Sequence, residues 1–278
     1  MPAPGRSSGL FAESARRRLL LMLLVVVVGV GAGFVLGPAL IGEHGSEPST
    51  APSGEPPEPA TSAEAATVAG GADLVPREGP ASPTLSPEQE ADVEAGVLSH
   101  TVFKTGSGEL DIVPGSSDAP EGDAPVMTVR VEVEEDLEID GDAFAEFVMD
   151  TLNDPRSWGA DGSVRFARTD GEADIRVVLA TPTTVDMMCA PLATNNRWSC
   201  GRYGHAAINA ERWVLGSAAF LDGGGDLTGY RQYVVNHEVG HLLGHQHVSC
   251  PAAGEIAPVM MQQSISVGQC VPNGWPYP

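Results

Sequence analysis

The chain has 278 residues, of which 37 are acidic and 15 are basic, and its formal net charge is −22. Such acidity repels nucleic acid and anionic lipid surfaces, so the composition argues against a nucleic-acid partner. The charge is uneven, with +3 in residues 1–42, −10 in residues 43–97 and −15 in residues 98–278. The last segment is long enough to bury the core of one domain.

The first apolar segment covers residues 19–41, which are 23 in number and uncharged. This length suffices for a transmembrane anchor, since a bilayer needs about 20 apolar residues. Arg16, Arg17 and Arg18 come directly before it. The positive-inside rule then predicts that residues 1–18 are cytoplasmic and that the rest of the chain is held outside the cell membrane. The alternative is a cleaved signal peptide, whose apolar core is usually shorter, at about 7–15 residues.

Residues 42–97 are rich in Pro, Glu, Ala, Ser, Thr and Gly and contain almost no large apolar side chain. A segment of this composition cannot bury enough apolar surface to offset the entropy lost on ordering. We therefore expect a disordered linker between the anchor and a folded domain at residues 98–278.

The folded domain combines strands and helices. Apolar and polar residues alternate in four segments, which predicts strands, and a short fifth strand follows them. These strands are residues 109–114, 126–134, 163–169, 173–180 and 205–209. Residues 140–154 have apolar side chains at helical spacing, with Asp140 or Asp142 as the cap, and residues 227–243 favour a second helix. The pattern indicates an α+β domain with a loop-rich C-terminal part.

The four cysteines are consistent with an exported domain, in which disulfides persist. They allow three pairings, of which Cys189–Cys200 and Cys250–Cys270 close the shortest loops. We expect this pairing. A structural zinc site is the alternative, although no two cysteines have C-x-x-C spacing.

Four of the seven histidines lie in the stretch HEVGHLLGHQH at residues 237–247. His237 and His241 are four residues apart, so on a helix both imidazoles project from one face and can reach one ion. Glu238 lies at the edge of that face. It is placed to act as a general base on water at the metal without binding the metal itself.

The third ligand must approach from another direction. On a continuous helix, His237 and His245 would be about 12 Å apart along the axis, too far for one ion. Gly244 can adopt a left-handed conformation and end the helix, after which His247 can turn back to the metal. We therefore predict His237, His241 and His247 as zinc ligands. His245 remains as a surface or packing residue, or as a group behind the ligands.

The spacing H-E-x-x-H-x-x-G-x-x-H resembles the zinc signature of the metzincin metallopeptidases. These enzymes also have a Met-turn, whose methionine lies beneath the zinc ligands. The segment PVMMQQ occupies the corresponding place, with Met260 as the expected methionine and Met261 as the second choice. Together with VPGSS, NDPRSW and VVNHEVGH, this segment looks like an actinobacterial family of membrane-anchored, metzincin-like domains. The likeness covers roughly residues 102–276.

The resemblance implies a twisted sheet above the active-site helix and a small C-terminal part below the cleft. It also implies that the lowest strand borders the cleft and pairs with an extended peptide, and residues 205–209 are the candidate. The sequence departs from well-known metzincins at two positions. Gln262 stands where several families have a tyrosine, and Val248 follows the third histidine.

These features predict a membrane-anchored, extracytoplasmic zinc metallopeptidase that acts on peptides or proteins. Two alternatives keep the zinc. In one, Glu255 replaces His247 as the third ligand, as in gluzincin-type sites, but Gly244 and His247 then have no role. In the other, the domain is a catalytically silent, zinc-stabilised binding module of the cell envelope. The presence of Glu238 argues against this module, because a structural site needs no base.

Overall fold

A computed structural model of the protein describes residues 85–278. The expected cytoplasmic segment, the expected anchor and most of the expected linker therefore lie outside the described residues. Within residues 85–278, none of the helices has the length and apolar content of a membrane span.

Six strands form one mixed sheet, in the order β1-β2-β4-β6-β5, with β3 also paired to β2. The central pairs β2–β4 and β4–β6 are parallel, whereas β1 and β5 are antiparallel to their neighbours. The strands are β1 (Leu110–Ile112), β2 (Val126–Glu134), β3 (Arg165–Arg168), β4 (Ile175–Ala180), β5 (Cys200–Arg202) and β6 (His205–Asn209).

Helices cover both faces of the sheet. They are α1 (Pro87–Glu94), α2 (Gly141–Asn153), α3 (Pro182–Cys189), α4 (Ala210–Leu215), α5 (Ala218–Leu221) and α6 (Leu227–Leu242), with a 3-10 helix at Trp158–Asp161. Alternate residues of β4 enter two apolar cores. Val177 and Leu179 join the large core with α2 and α6, while Val178 and Ala180 pack with α3. The predicted α+β class is confirmed.

The strongest sequence patterns match the structure closely. Both β2 and β6 have the predicted bounds, and α6 ends one residue before the predicted end. Asp140 caps α2, since its carboxylate accepts hydrogen bonds from the backbone amides of Asp142 and Ala143. The patterns did not indicate the short elements α3, α4, α5 and β5.

The assignment of the whole of residues 42–97 to a disordered linker was wrong at its C-terminal end. Residues Pro87–Glu94 form α1, and Ala91 and Ala95 are buried. Ser86 and Gln89 make a reciprocal capping box, with Pro87 in the first turn. The capping signal at residues 86–89 was overlooked because the composition of residues 42–97 as a whole is typical of a linker.

Tertiary contacts hold α1 on the domain. The guanidinium of Arg231, on α6, is fully buried and donates to the Asp92 carboxylate at 2.7 Å and to the Ala91 carbonyl at 2.7 Å. It also donates to the Trp213 carbonyl at the end of α4. Helix α6 is therefore joined directly to the segment that precedes residue 98.

The expectation that residues 205–209 border the cleft was also wrong. This strand, β6, is paired on both sides, to β4 and to β5. The edge strand is β5, which pairs with β6 alone among the residues described here. The two strands form a hairpin whose turn residues, Tyr203 and Gly204, both have positive φ, as a type I′ turn requires. Tyr-Gly is a weaker sequence signal for this turn than Asn-Gly, which explains why the sequence did not predict β5 and its hairpin with β6.

The disulfide prediction is confirmed. Cys189–Cys200 joins the end of α3 to the edge strand β5, and Cys250–Cys270 joins the segment after His247 to the C-terminal region. Each bond therefore constrains a segment next to the histidine-rich helix.

Candidate metal site

Three histidines converge at the C-terminal end of α6. His237 and His241 lie one turn apart on this helix, and His247 follows it. Their candidate ligand nitrogens lie within 4.8 Å of one another. The Nε2 atoms of His241 and His247 are 3.0 Å apart. This is close to the separation of about 3.3 Å that two nitrogens have when each is about 2.0–2.1 Å from a tetrahedral zinc ion.

The turn that brings His247 back begins at Gly244, as predicted. Gly244 has a φ of +97°, and its amide donates to the His241 carbonyl at 3.1 Å. The His245 amide donates to the Gly240 carbonyl at 3.0 Å. These two bonds form a Schellman motif, which ends the helix and reverses the chain.

Hydrogen bonds orient two of the three imidazoles. The Nδ1 atom of His237 lies 2.8 Å from the Val259 carbonyl oxygen, and that of His241 lies 3.0 Å from the His245 carbonyl oxygen. A carbonyl only accepts, so Nδ1 carries the proton in each ring and Nε2 keeps its lone pair for a metal.

Desolvation favours the neutral form of the three rings, although His247 as a whole residue is exposed. It lowers the pKa of His237 to about 3 and also lowers the pKa values of His241 and His247. Metal ligation requires neutral imidazole, so the protonation state fits a metal site. Among residues 85–278, these histidines form the one group of side chains with this convergence.

Glu238 lies next to the first histidine but outside the convergent group. The side chain is 6% exposed, and this burial raises the pKa of its carboxyl to about 8, against a smaller lowering by the Gly201 amide. A cation held by the histidines would favour the carboxylate form. Glu255, the alternative ligand, is exposed and is also outside the group.

The histidines and Glu238 line an open cleft of about 340 Å³. Part of its lining comes from β5 and the loop before it, and another part comes from residues after Met261. The other lining residues are Leu192, Ala193, Thr194, Trp198, Ser199, Cys200, Gly201, Arg202, Tyr233, Gln262, Ser264 and Ile265.

The edge strand β5 lies directly against helix α6. A Cβ at Gly201 would collide with the backbone carbonyl of Glu238, so only glycine permits this approach. Neither Gly201 nor Tyr233 was among the site residues predicted from the sequence. Tyr233 precedes His237 by four residues, the helical spacing that places both on one face, and this spacing is the signal that could have identified it.

Met260, the methionine predicted for the Met-turn, packs against α6. The Met261 amide donates to the Pro258 carbonyl at 2.9 Å, so Met260 lies within a tight turn. A Cβ at Gly240 would lie 2.6 Å from the Met260 sulfur, which places this sulfur against α6 at Gly240. The Met260 carbonyl accepts from the Val248 amide at 3.1 Å, next to His247.

Replacing Cys250 and Cys270 by serine should lower the free energy of unfolding by about 3 kcal/mol, the chain-entropy value for a loop of about 20 residues. It should also weaken metal binding, because this bond restrains the chain on both sides of Met260. Urea denaturation and zinc titration of the full-length protein measure the two effects. The matched control is serine at Cys189 and Cys200, which should cost similar stability but leave zinc affinity within about threefold. Unchanged zinc affinity in the Cys250 and Cys270 variant would contradict the proposed restraint.

Comparison with known proteins identifies the family of the chain. No curated protein and no solved structure is significantly similar to it. A family model described as "Protein of unknown function (DUF3152)" matches residues 98–270, which include every histidine of the convergent group, Glu238 and Met260. Because this match covers more than half of the chain, the protein belongs to the DUF3152 family.

Proposed function

We propose that the protein is a zinc-dependent metallopeptidase of the metzincin type, which hydrolyses peptide bonds in the cleft beside α6. One observation carries the proposal. Three neutral imidazoles converge, with a buried carboxyl group adjacent in sequence, in a cleft that is open to solvent. A closed structural zinc site requires neither the adjacent carboxyl group nor the opening to solvent.

The ligand set favours zinc. Three histidine nitrogens leave a fourth position free, which is typical of catalytic zinc, whereas structural zinc sites are closed by a fourth protein ligand. His237, His241 and His247 would hold the ion through Nε2. When bound, zinc supplies Lewis acidity that polarises a carbonyl group and lowers the pKa of water.

Glu238 would act as the general base and then as the general acid. Its carboxylate would accept a proton from the attacking water and donate it to the nitrogen of the leaving amine. Burial supports this role, because it gives the carboxyl a higher proton affinity than a solvated glutamate has.

A peptide would bind in extended form along β5. This strand has one edge without a strand partner in residues 85–278, and it faces the cleft through Gly201. A substrate strand could pair with this edge through its main chain, and side chains would then enter the cleft beside Tyr233 or Ile265. Met260 would support the ligands from beneath, as the Met-turn does in metzincins.

We further propose that residues 19–41 anchor the domain outside the cell membrane. The uncharged 23-residue segment and the three preceding arginines support this location.

Zinc analysis of alanine variants tests the ligand assignment. At saturating zinc the wild-type protein should bind one ion, and His237→Ala, His241→Ala and His247→Ala should each bind none stably. His245→Ala should still bind one ion. The measurement is bound zinc by elemental analysis after gel filtration. The assignment of His247 as the third ligand would be wrong if His245→Ala lost the ion while His247→Ala kept it.

A further inference from the structure

We infer that His245 is a positioning residue, whose ring stacks on Trp158 and thereby holds the turn that orients His241 and His247. This inference rests on the proposed metal site, although not on the proposed hydrolysis. It also assigns a role to the one histidine of the stretch that is not a candidate ligand.

The ring contact is close and nearly parallel. The centroids of the His245 and Trp158 rings are 4.2 Å apart, and the ring planes differ by 17°. The turn at residues 244–249, which includes His245, is exposed. The stack therefore attaches an exposed turn to a buried side chain.

The Trp158 side chain is itself held in place by burial and by a hydrogen bond. It is 6% exposed, and its indole Nε1 donates to the Asn236 carbonyl on α6 at 2.9 Å. The ring also packs closely against the helix at Gly240, where a Cβ would lie 2.5 Å from its Cζ2 atom. Through Trp158, the His245 ring is therefore held against α6, the helix that carries His237 and His241.

The main chain of His245 transmits this position to the site. Its amide donates to the Gly240 carbonyl at 3.0 Å, and its carbonyl accepts from His241 Nδ1 at 3.0 Å. The latter bond holds His241 Nε2 toward His247 Nε2. Loss of the stack should therefore misplace one ligand through this carbonyl and a second through the chain that leads to His247.

The contact needs a planar aromatic ring rather than an imidazole. His245→Phe keeps such a ring and removes both ring nitrogens, whereas His245→Ala removes the stack. The matched control is Gln246→Ala, since Gln246 is the exposed neighbour in the same turn. Because both positions are exposed, we expect the three variants to fold, and thermal denaturation checks this.

The experiment measures zinc affinity in the full-length protein by competition with a chelating indicator. We expect His245→Ala to weaken zinc binding about 10-fold, at the lower end of the range for residues that orient metal ligands. His245→Phe should stay within about threefold of wild type, and Gln246→Ala should be unchanged. Wild-type affinity in the Ala variant, or equal losses in the Ala and Phe variants, would overturn the inference.

A second readout needs no metal. Long-range ¹H–¹⁵N NMR spectra of the histidines report which nitrogen of His241 carries the proton. Wild type and His245→Phe should show the Nδ1–H form, and His245→Ala should show a mixture of tautomers. An unchanged Nδ1–H form in the Ala variant would overturn the inference even if the protein bound no zinc. A protein with these stack-dependent effects but no peptide hydrolysis would overturn the proposed function alone.

Discussion

Replacing Glu238 by glutamine is expected to reduce kcat/KM for peptide hydrolysis by about 10²–10⁴-fold, the usual range for loss of a general base. Zinc should remain bound at one ion per chain, because Glu238 lies outside the group of convergent histidines. The amide keeps the size of the side chain and part of its hydrogen bonding, but it cannot accept the proton. The assay is hydrolysis of a diverse peptide pool by the full-length protein, with and without a chelator.

The matched control is Glu255→Gln. Glu255 is exposed and lies outside the convergent group, so this variant should keep both zinc and activity. Chelator-sensitive cleavage that persists at the wild-type rate in Glu238→Gln would contradict the proposed mechanism. A binding module of the cell envelope predicts a different pattern, in which wild type shows no turnover and both glutamine variants retain partner binding. Loss of zinc in Glu255→Gln would instead favour the gluzincin-type ligand set.

Replacing Asp92 by alanine is expected to lower the free energy of unfolding by about 3–5 kcal/mol, the cost of breaking a buried ion pair. The Arg231 side chain is fully buried, and Asp92 is the carboxylate that pairs with it. Burial lowers the pKa of Arg231, and the hydrogen bond that its guanidinium donates to the Asp92 carboxylate counteracts this effect. Without Asp92 the guanidinium would keep its carbonyl acceptors but lose its compensating charge.

Urea denaturation of the full-length protein measures this loss. Glu94→Ala is the matched control, because Glu94 is on the same helix but is exposed. This control should change the free energy of unfolding by less than about 0.5 kcal/mol. A loss below about 1 kcal/mol in Asp92→Ala would show that α1 is not required for the fold. A larger loss would mean that a fragment starting at residue 98, where the family match begins, omits part of the stable domain.

The sequence by itself determined the features that depend on local spacing. The four-residue interval between His237 and His241 places two imidazoles on one helical face, and Gly244 ends that helix because glycine accepts a positive φ. The bounds of β2 and β6 followed from apolar patterns, and Asp140 was one of the two residues that the sequence offered as a cap. Loop length alone favoured the observed disulfide pairing.

Only the tertiary structure decided the features that depend on residues distant in sequence. The order of the strands determines that β5, rather than β6, is the edge beside the cleft. Arg231 holds α1 although the segment before it has the composition of a linker. Trp158 determines where the His245 ring lies, across 87 positions of the chain. Local propensity and periodicity carry no information about such partners, because the free energy of each contact arises only when packing brings the two residues together.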